Sequence, residues 1–210
     1  LQGIKDLNIF WETNQNLERL RGALFDGYLQ YFDDLRRKGV PSTPDFQCLT
    51  AISDGVGGRR MINHLVQTET QRLGLNGFGE RLLVTENQPG IGVFNGDVGV
   101  VIDSYDFANP RVQFDTIEQP LRKNQLGAVE SAWAISIHRS QGSEYSSVFI
   151  CLPEPTGSRS RFRPSRELLY TALTRAKESV QLFATESMIV EAISRTTHRV
   201  TCLDHFLKTS

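Results

Sequence analysis

Two short segments of this chain gather side chains able to hold phosphate. The first, SIHRSQGSE, sets Ser136, His138, Arg139, Ser140, Gln141, Gly142 and Glu144 directly after the apolar Trp133, Ile135 and Ile137. The second, LTRAK, sets Thr174, Arg175 and Lys177 after an apolar stripe of Leu169, Ala172 and Leu173. Glycine lets a backbone approach an anion closely, which suits Gly142 to a phosphate. Glu144 can accept from ribose hydroxyls, and His138 or Arg139 can touch a nucleic-acid backbone. A helix over residues 166–177 would send Arg175 off at about a right angle to its buried stripe. Its planar, permanently charged fork would there suit a phosphoryl group in its transition state. Plainer readings stand beside these: a polar connection whose histidine caps a strand, and a solvated or salt-bridged surface arginine.

Other chemistries lack their residues. No GxSxG elbow activates Ser140 or Ser143 beside His138. His64, His138, His198 and His205 lack zinc-site spacing, so no metal site is expected. DGVGGRRMIN resembles a phosphate loop only loosely, and GxxxxGK[ST] occurs nowhere in the 210 residues. A backbone cradle, its lysine and magnesium-holding carboxylates are needed for ATP hydrolysis. These residues are therefore not expected to hydrolyse ATP alone.

The elements that must carry these clusters follow from patterning. With 39% hydrophobic and 22% charged residues, the chain has an ordinary globular composition and no run long enough for a membrane span. The formal net charge is −1, but residues 121–180 hold nine Lys/Arg against five Asp/Glu, so a polyanion site belongs in that third. Cys48, Cys151 and Cys202 are odd in number and far apart, as in reduced core thiols of a cytoplasmic protein. The opening LQGIKDLNIF reads as the cut end of a longer chain rather than a signal peptide.

Leu17, Leu20, Leu24, Tyr28, Tyr31 and Leu35 recur at helical steps over residues 14–38, with Gly22 and Gly27 as possible interruptions and Gly39 as a stop. A rigid joint, PSTP, follows at 41–44. Phe46–Ile52, DGVGG and the Met61, Ile62, Leu65, Val66 pattern make a strand, a turn and a helix. Short alternating strands with an Asn95-Gly96 turn signal fill about 80–115. They read as a small antiparallel barrel inserted into an α/β domain, with Phe94 in its core. Strands at 131–137, 147–152 and 179–184, a helix from Ser165 and another from about 186 resume the α/β pattern. A basic loop fills 153–165.

SIHRSQGSEYSSVFICLP (136–153) looks like motif V of superfamily 1 helicases, and ELLYTALTRAKESVQLF (167–183) like motif VI. FQCLTAISDGVGGRRMIN (46–63) is similar to the motif IV region, and GVFNGDVGVV (92–101) resembles a segment of the RecD branch. The resemblance implies an α/β fold: a RecA-like second motor domain with a parallel sheet over 46–77 and 127–210, and an inserted Src-homology-3-like barrel over 78–126. Residues 1–45 would be a helical lead-in from a first motor domain. It further implies that Arg175 meets the γ-phosphate, and that Gly142 and Glu144 line the nucleotide side. Ser136, His138, Arg139, Ser140 and Gln141 would face DNA. ATP and Mg2+ would be bound mainly by the other motor domain. The implied activity is 5′ to 3′ DNA translocation with RecB-like and RecC-like subunits in an exodeoxyribonuclease V complex, the nuclease centre lying in the RecB-like partner. The implied DNA is single-stranded or a duplex end, and Tyr105, Phe107 or Phe94 could stack on its bases. Arg139 stands where the family often has Lys, Tyr145 where it often has Phe, and Arg59, Arg60 and Met61 where it has small or apolar residues. A degenerate motor domain serving only to dock DNA or a subunit is the different-class alternative.

Overall fold

The computed structural model describes residues 6–11, 16–38, 45–75, 77–103, 109–154 and 162–196. Five parallel strands form one sheet: β1 (Asp6–Trp11), β2 (Phe46–Thr50), β8 (Ala134–Ser136), β9 (Tyr145–Leu152) and β10 (Ala176–Ala184), in the order β1-β10-β9-β2-β8. Apolar runs such as VFICL fit strands covered on both faces. Period-two alternation divides each run between two cores. Cys48, Phe149, Cys151 and Phe183 face α1 (Leu17–Lys38) and α2 (Arg59–Arg72). Leu49, Ile150, Leu152, Val180 and Leu182 face α3 (Arg166–Leu173) and α4 (Glu186–Ser194).

Residues 1–45, expected as a lead-in, contribute β1 to this sheet, and α1 buries Leu20, Leu24, Tyr28, Tyr31 and Leu35 in its core. Leu17, expected in the same stripe, is exposed. The joint at 41–44, Gly39, Tyr105, Phe107, His198, Cys202, His205 and the centre of the basic loop lie outside the described residues.

The inserted unit is a five-stranded antiparallel sheet, β3 (Arg81–Val84), β4 (Val98–Val101), β5 (Arg111–Phe114), β6 (Leu121–Arg122) and β7 (Val129–Ser131), ordered β6-β5-β4-β3-β7. Leu82, Val84, Val101, Val112 and Phe114 form its own core, while Leu83 joins the core of the parallel sheet. The unit thus reaches Ser131 rather than ending at 126. Asn95-Gly96 does turn, with the Asp97 amide bonded to the Phe94 carbonyl. Phe94 is exposed, correcting its placement in the core, because its neighbours form a short 3-10 turn (Pro89–Ile91) and one bridge instead of a strand.

The apolar run at 131–137 is not one strand. It breaks at Ala132-Trp133, where the chain passes from the inserted sheet into the parallel one. Gln47 Nε2 donates to the carbonyls of Ala132 (3.3 Å) and Trp133 (3.1 Å), and the Tyr28 hydroxyl also donates to Trp133. Asn63 Nδ2 donates to Ser131 and Ala134 (both 3.0 Å), and Asn63 Oδ1 accepts from the Ala134 amide (2.7 Å). Arg81, 2% exposed, donates to Gln47 Oε1 at 2.8 Å.

Two glycines of α1 make opposite predictions. A Cβ on Gly22 would meet nothing within 4 Å, so Gly22→Ala should add about 0.5–1 kcal/mol in denaturant unfolding. A Cβ on Gly27 would lie 2.2 Å from the Phe46 ring, so Gly27→Ala should remove about 1–3 kcal/mol. Burial also raises the pKa of Tyr28, Tyr31, Cys48 and Cys151. Above pH 9 to 10, where the unfolded groups ionise, the unfolded state sheds protons the native state keeps. Stability should therefore fall as pH rises through that range, measured as the urea midpoint from pH 8 to 11.

Candidate nucleic-acid and nucleotide site

The residues between β8 and β9 do not form one cluster at one edge. Ser136 pairs with Thr50, where β2 and β8 end, whereas Tyr145 pairs with Ala176, where β9 and β10 begin. Residues 137–144 therefore cross the sheet from its carboxyl edge to its amino edge. Their first half is a 3-10 turn, Ile137–Ser140. The Ser136 hydroxyl accepts from the Arg139 amide (3.3 Å), and the Ser140 hydroxyl donates to the Ile137 carbonyl (2.7 Å). Ser140 is fully buried, which removes it from the expected DNA contacts; its hydroxyl closes the turn. Ser136 is half-buried and acts as the cap. His138 and Gln141 are exposed and border a cavity of about 530 Å³ against the start of α3.

Arg139 is tied down rather than free. Its Nη1 lies 3.1 Å from Glu130 Oε2, which also pairs with Arg59 Nη1. One carboxylate at the end of the inserted sheet thus holds the 3-10 turn and the first residue of α2. Arg60, the next residue, pairs with Asp54 at 2.7 Å.

Gly142 lies within the crossing, and the opposite edge carries Glu144 and Arg175. Gly142 has φ +92°, and a Cβ there would meet nothing within 4 Å, so the glycine is required by the turn while its backbone stays open. Glu144 and Lys177 are exposed and pair at 3.5 Å. Arg175 is not on a helix flank: α3 ends at Leu173, and the arginine occupies the turn before β10. Its Nε donates to the Thr171 carbonyl (3.2 Å), Nη1 to the Ser143 carbonyl (3.1 Å) and Nη2 to Thr174 Oγ1 (3.2 Å). Its own carbonyl accepts from the Tyr145 amide at 2.9 Å. The guanidinium is thereby fixed against the backbone between Gly142 and Glu144. Ser165 caps α3 by accepting from the Leu168 amide (3.3 Å), as its position before Glu167 suggests.

Sequence reasoning missed Glu130, Gln47, Asn63 and Arg81. Glu130 lies 71 residues from Arg59, and nothing local marks the pairing. Among the described residues no group of three or more His, Cys, Asp or Glu could hold a metal ion. No described helix is long and apolar enough to cross a membrane. Glu130→Gln should lower stability by about 1 kcal/mol, since Glu130 is 41% exposed and the pairs are partly screened. Chemical denaturation of the two proteins at low and high salt measures it, and the difference should shrink with salt.

Residues 131–183 match the UvrD-like helicase C-terminal domain. The RecBCD enzyme subunit RecD of Mycobacterium tuberculosis is 38% identical over 117 residues, covering 56% of this chain and 20% of that one. RecD of Haemophilus influenzae is 34% identical over 132 residues, covering 62% of this chain and 19% of that one. The ATP-dependent RecD2 DNA helicase of Deinococcus radiodurans is 34% identical over 100 residues, covering 48% and 13%. A Pif1 helicase structure from Bacteroides, in complex with ADP-AlF3 and single-stranded DNA, superposes with a TM-score of 0.44 at 16% identity, covering 95% of this chain and 55% of that one. The chain spans about a fifth of the length of the RecD sequences it matches. By these matches the chain is similar to RecD over part of its length, and its residues 131–183 are similar to the UvrD-like helicase C-terminal domain.

Proposed function

We propose that this chain is the second, RecA-like motor domain of a RecD-type ATP-dependent DNA helicase translocating 5′ to 3′. The observation that carries the reading is the division of residues 136–145 between two edges of one sheet. His138 stands near one edge to meet single-stranded DNA, with Gln141 following it into the crossing; Glu144 and Arg175 stand at the other to meet nucleotide, with Gly142 leading towards them. One short crossing joins them, so displacement at either edge is transmitted to the other. The inserted antiparallel sheet would be the small Src-homology-3-like barrel of this branch.

The open backbone of Gly142 and the fixed guanidinium of Arg175 fit the phosphate end of ATP. Bound ATP with Mg2+ supplies the phosphoryl group whose transfer drives movement. Arg175 offers charge already held in place, and Glu144 offers acceptors for hydroxyls. The phosphate cradle would come from the other motor domain, so these 210 residues are expected to be inactive alone. RecB-like and RecC-like subunits are the proposed partners, in keeping with the names of the RecD relatives, in an assembly that processes duplex ends in the cytoplasm during break repair. The name of the RecD2 relative carries no such assembly, and motors of that kind remain the neighbouring case.

A second reading has its own observation. All three guanidinium nitrogens of Arg175 bond within the domain, as a purely structural arginine would in a degenerate docking module. Single-strand-stimulated ATP hydrolysis by the protein joined to its first motor domain separates the two. Arg175→Ala should cut turnover about 10³-fold or more with near-normal nucleotide affinity. Unchanged turnover with a lowered melting temperature would favour the docking module.

A further inference from the structure

The cavity beside His138 and Gln141 is walled on its far side by residues from the end of the basic loop, from α3 and from the end of α4, of which only those of α3 fall within the motif VI segment. Phe162, Arg163, Ser165, Glu167, Thr171 and Arg195 line it. Arg163 and Phe162 precede α3, and Arg195 follows α4. The Arg166 amide donates to the Arg195 carbonyl at 2.9 Å, which fixes the end of α4 beside the start of α3. Arg163 is steadied by Glu191 at 3.2 Å, leaving Arg195 exposed on the rim. Apart from Glu167, the charged groups on the described wall are basic, and the cavity is large enough for a nucleotide unit.

We infer that this cavity is a nucleotide subsite for single-stranded nucleic acid, with Arg195 as a backbone-phosphate contact and Phe162 as the face on which a base stacks. The inference rests on the reading of His138 and Gln141 as strand-facing residues and extends the strand beyond them. A cation and an aromatic ring lining one cavity are the combination that holds single strands with little sequence preference. An inorganic anion alone would have no use for Phe162. Arg163 is a positioning residue, because its guanidinium is engaged by Glu191 and it orients the turn into α3.

The test is fluorescence anisotropy of a labelled oligothymidylate with this chain across a salt series, repeated with an abasic deoxyribose-phosphate oligomer of the same length. One phosphate contact is worth about 0.7 in the slope of log affinity against log salt on single strands, or about fivefold at 0.1 M. Arg195→Gln should lose that much on both oligomers, and Arg195→Lys should keep the slope. Phe162→Leu should lose about fivefold or more on oligothymidylate and nothing on the abasic oligomer. Unchanged binding in either Arg195→Gln or Phe162→Leu, with His138→Ala still weakening it, overturns the subsite and leaves the helicase reading standing. Absence of binding by the unaltered chain overturns both.

Discussion

The backbone carbonyls of Ala132 and Trp133 are buried where two sheets of opposite kind meet, and buried carbonyls need donors. Strand pairing cannot supply them at that point, because the chain is leaving an antiparallel ladder and entering a parallel one. Gln47 and Tyr28 supply them instead, and Asn63 bonds the residues on either side. These donors come from β2, α1 and α2, so the junction holds three elements of the parallel unit to the inserted one. Losing one donor would cost about 1–3 kcal/mol in desolvation left uncompensated. The carboxyl-edge half of the candidate site hangs from this junction: β8 begins directly after it at Ala134, and the 3-10 turn with His138 begins where β8 ends.

Much of the local structure was legible. The step of three and four in α1, the apolar run of β9 and the serine cap of α3 are short-range signals, set by residues within a turn or a strand of one another. Long-range matters were not. AWAISI reads as an unbroken strand because nothing in it announces that Gln47, some 85 residues earlier, will take its carbonyls. Phe94 looked like core because a periodic strand would have turned it inward, and no strand forms there. β10 begins at Ala176 rather than 179, shortening α3, because pairing of Ala176 with Tyr145 outweighs helical continuation. That shift places Arg175 in a turn and so reverses the account of how it is aimed.

The site was legible as residues and not as geometry. Spacing groups Ser136 with Glu144, yet eight residues suffice to cross a parallel sheet, and only the pairing partners show that they stand at opposite edges. Ser140 has the right type and place for a contact and is closed off by burial. Arg139 has the right charge and is already bound by a carboxylate from the inserted sheet. What remains exposed is His138 near the carboxyl edge, Gln141 and Gly142 in the crossing, and Glu144 at the amino edge beside the partly buried Arg175.

The central claim is that these two edges serve different ligands through one crossing. The direct measurement compares His138→Ala with Glu144→Gln in the protein joined to its first motor domain, determining single-strand affinity without nucleotide and nucleotide affinity without DNA. His138→Ala should weaken only the strand and Glu144→Gln only the nucleotide. If both substitutions weakened the same ligand, the two edges would form a single site rather than two.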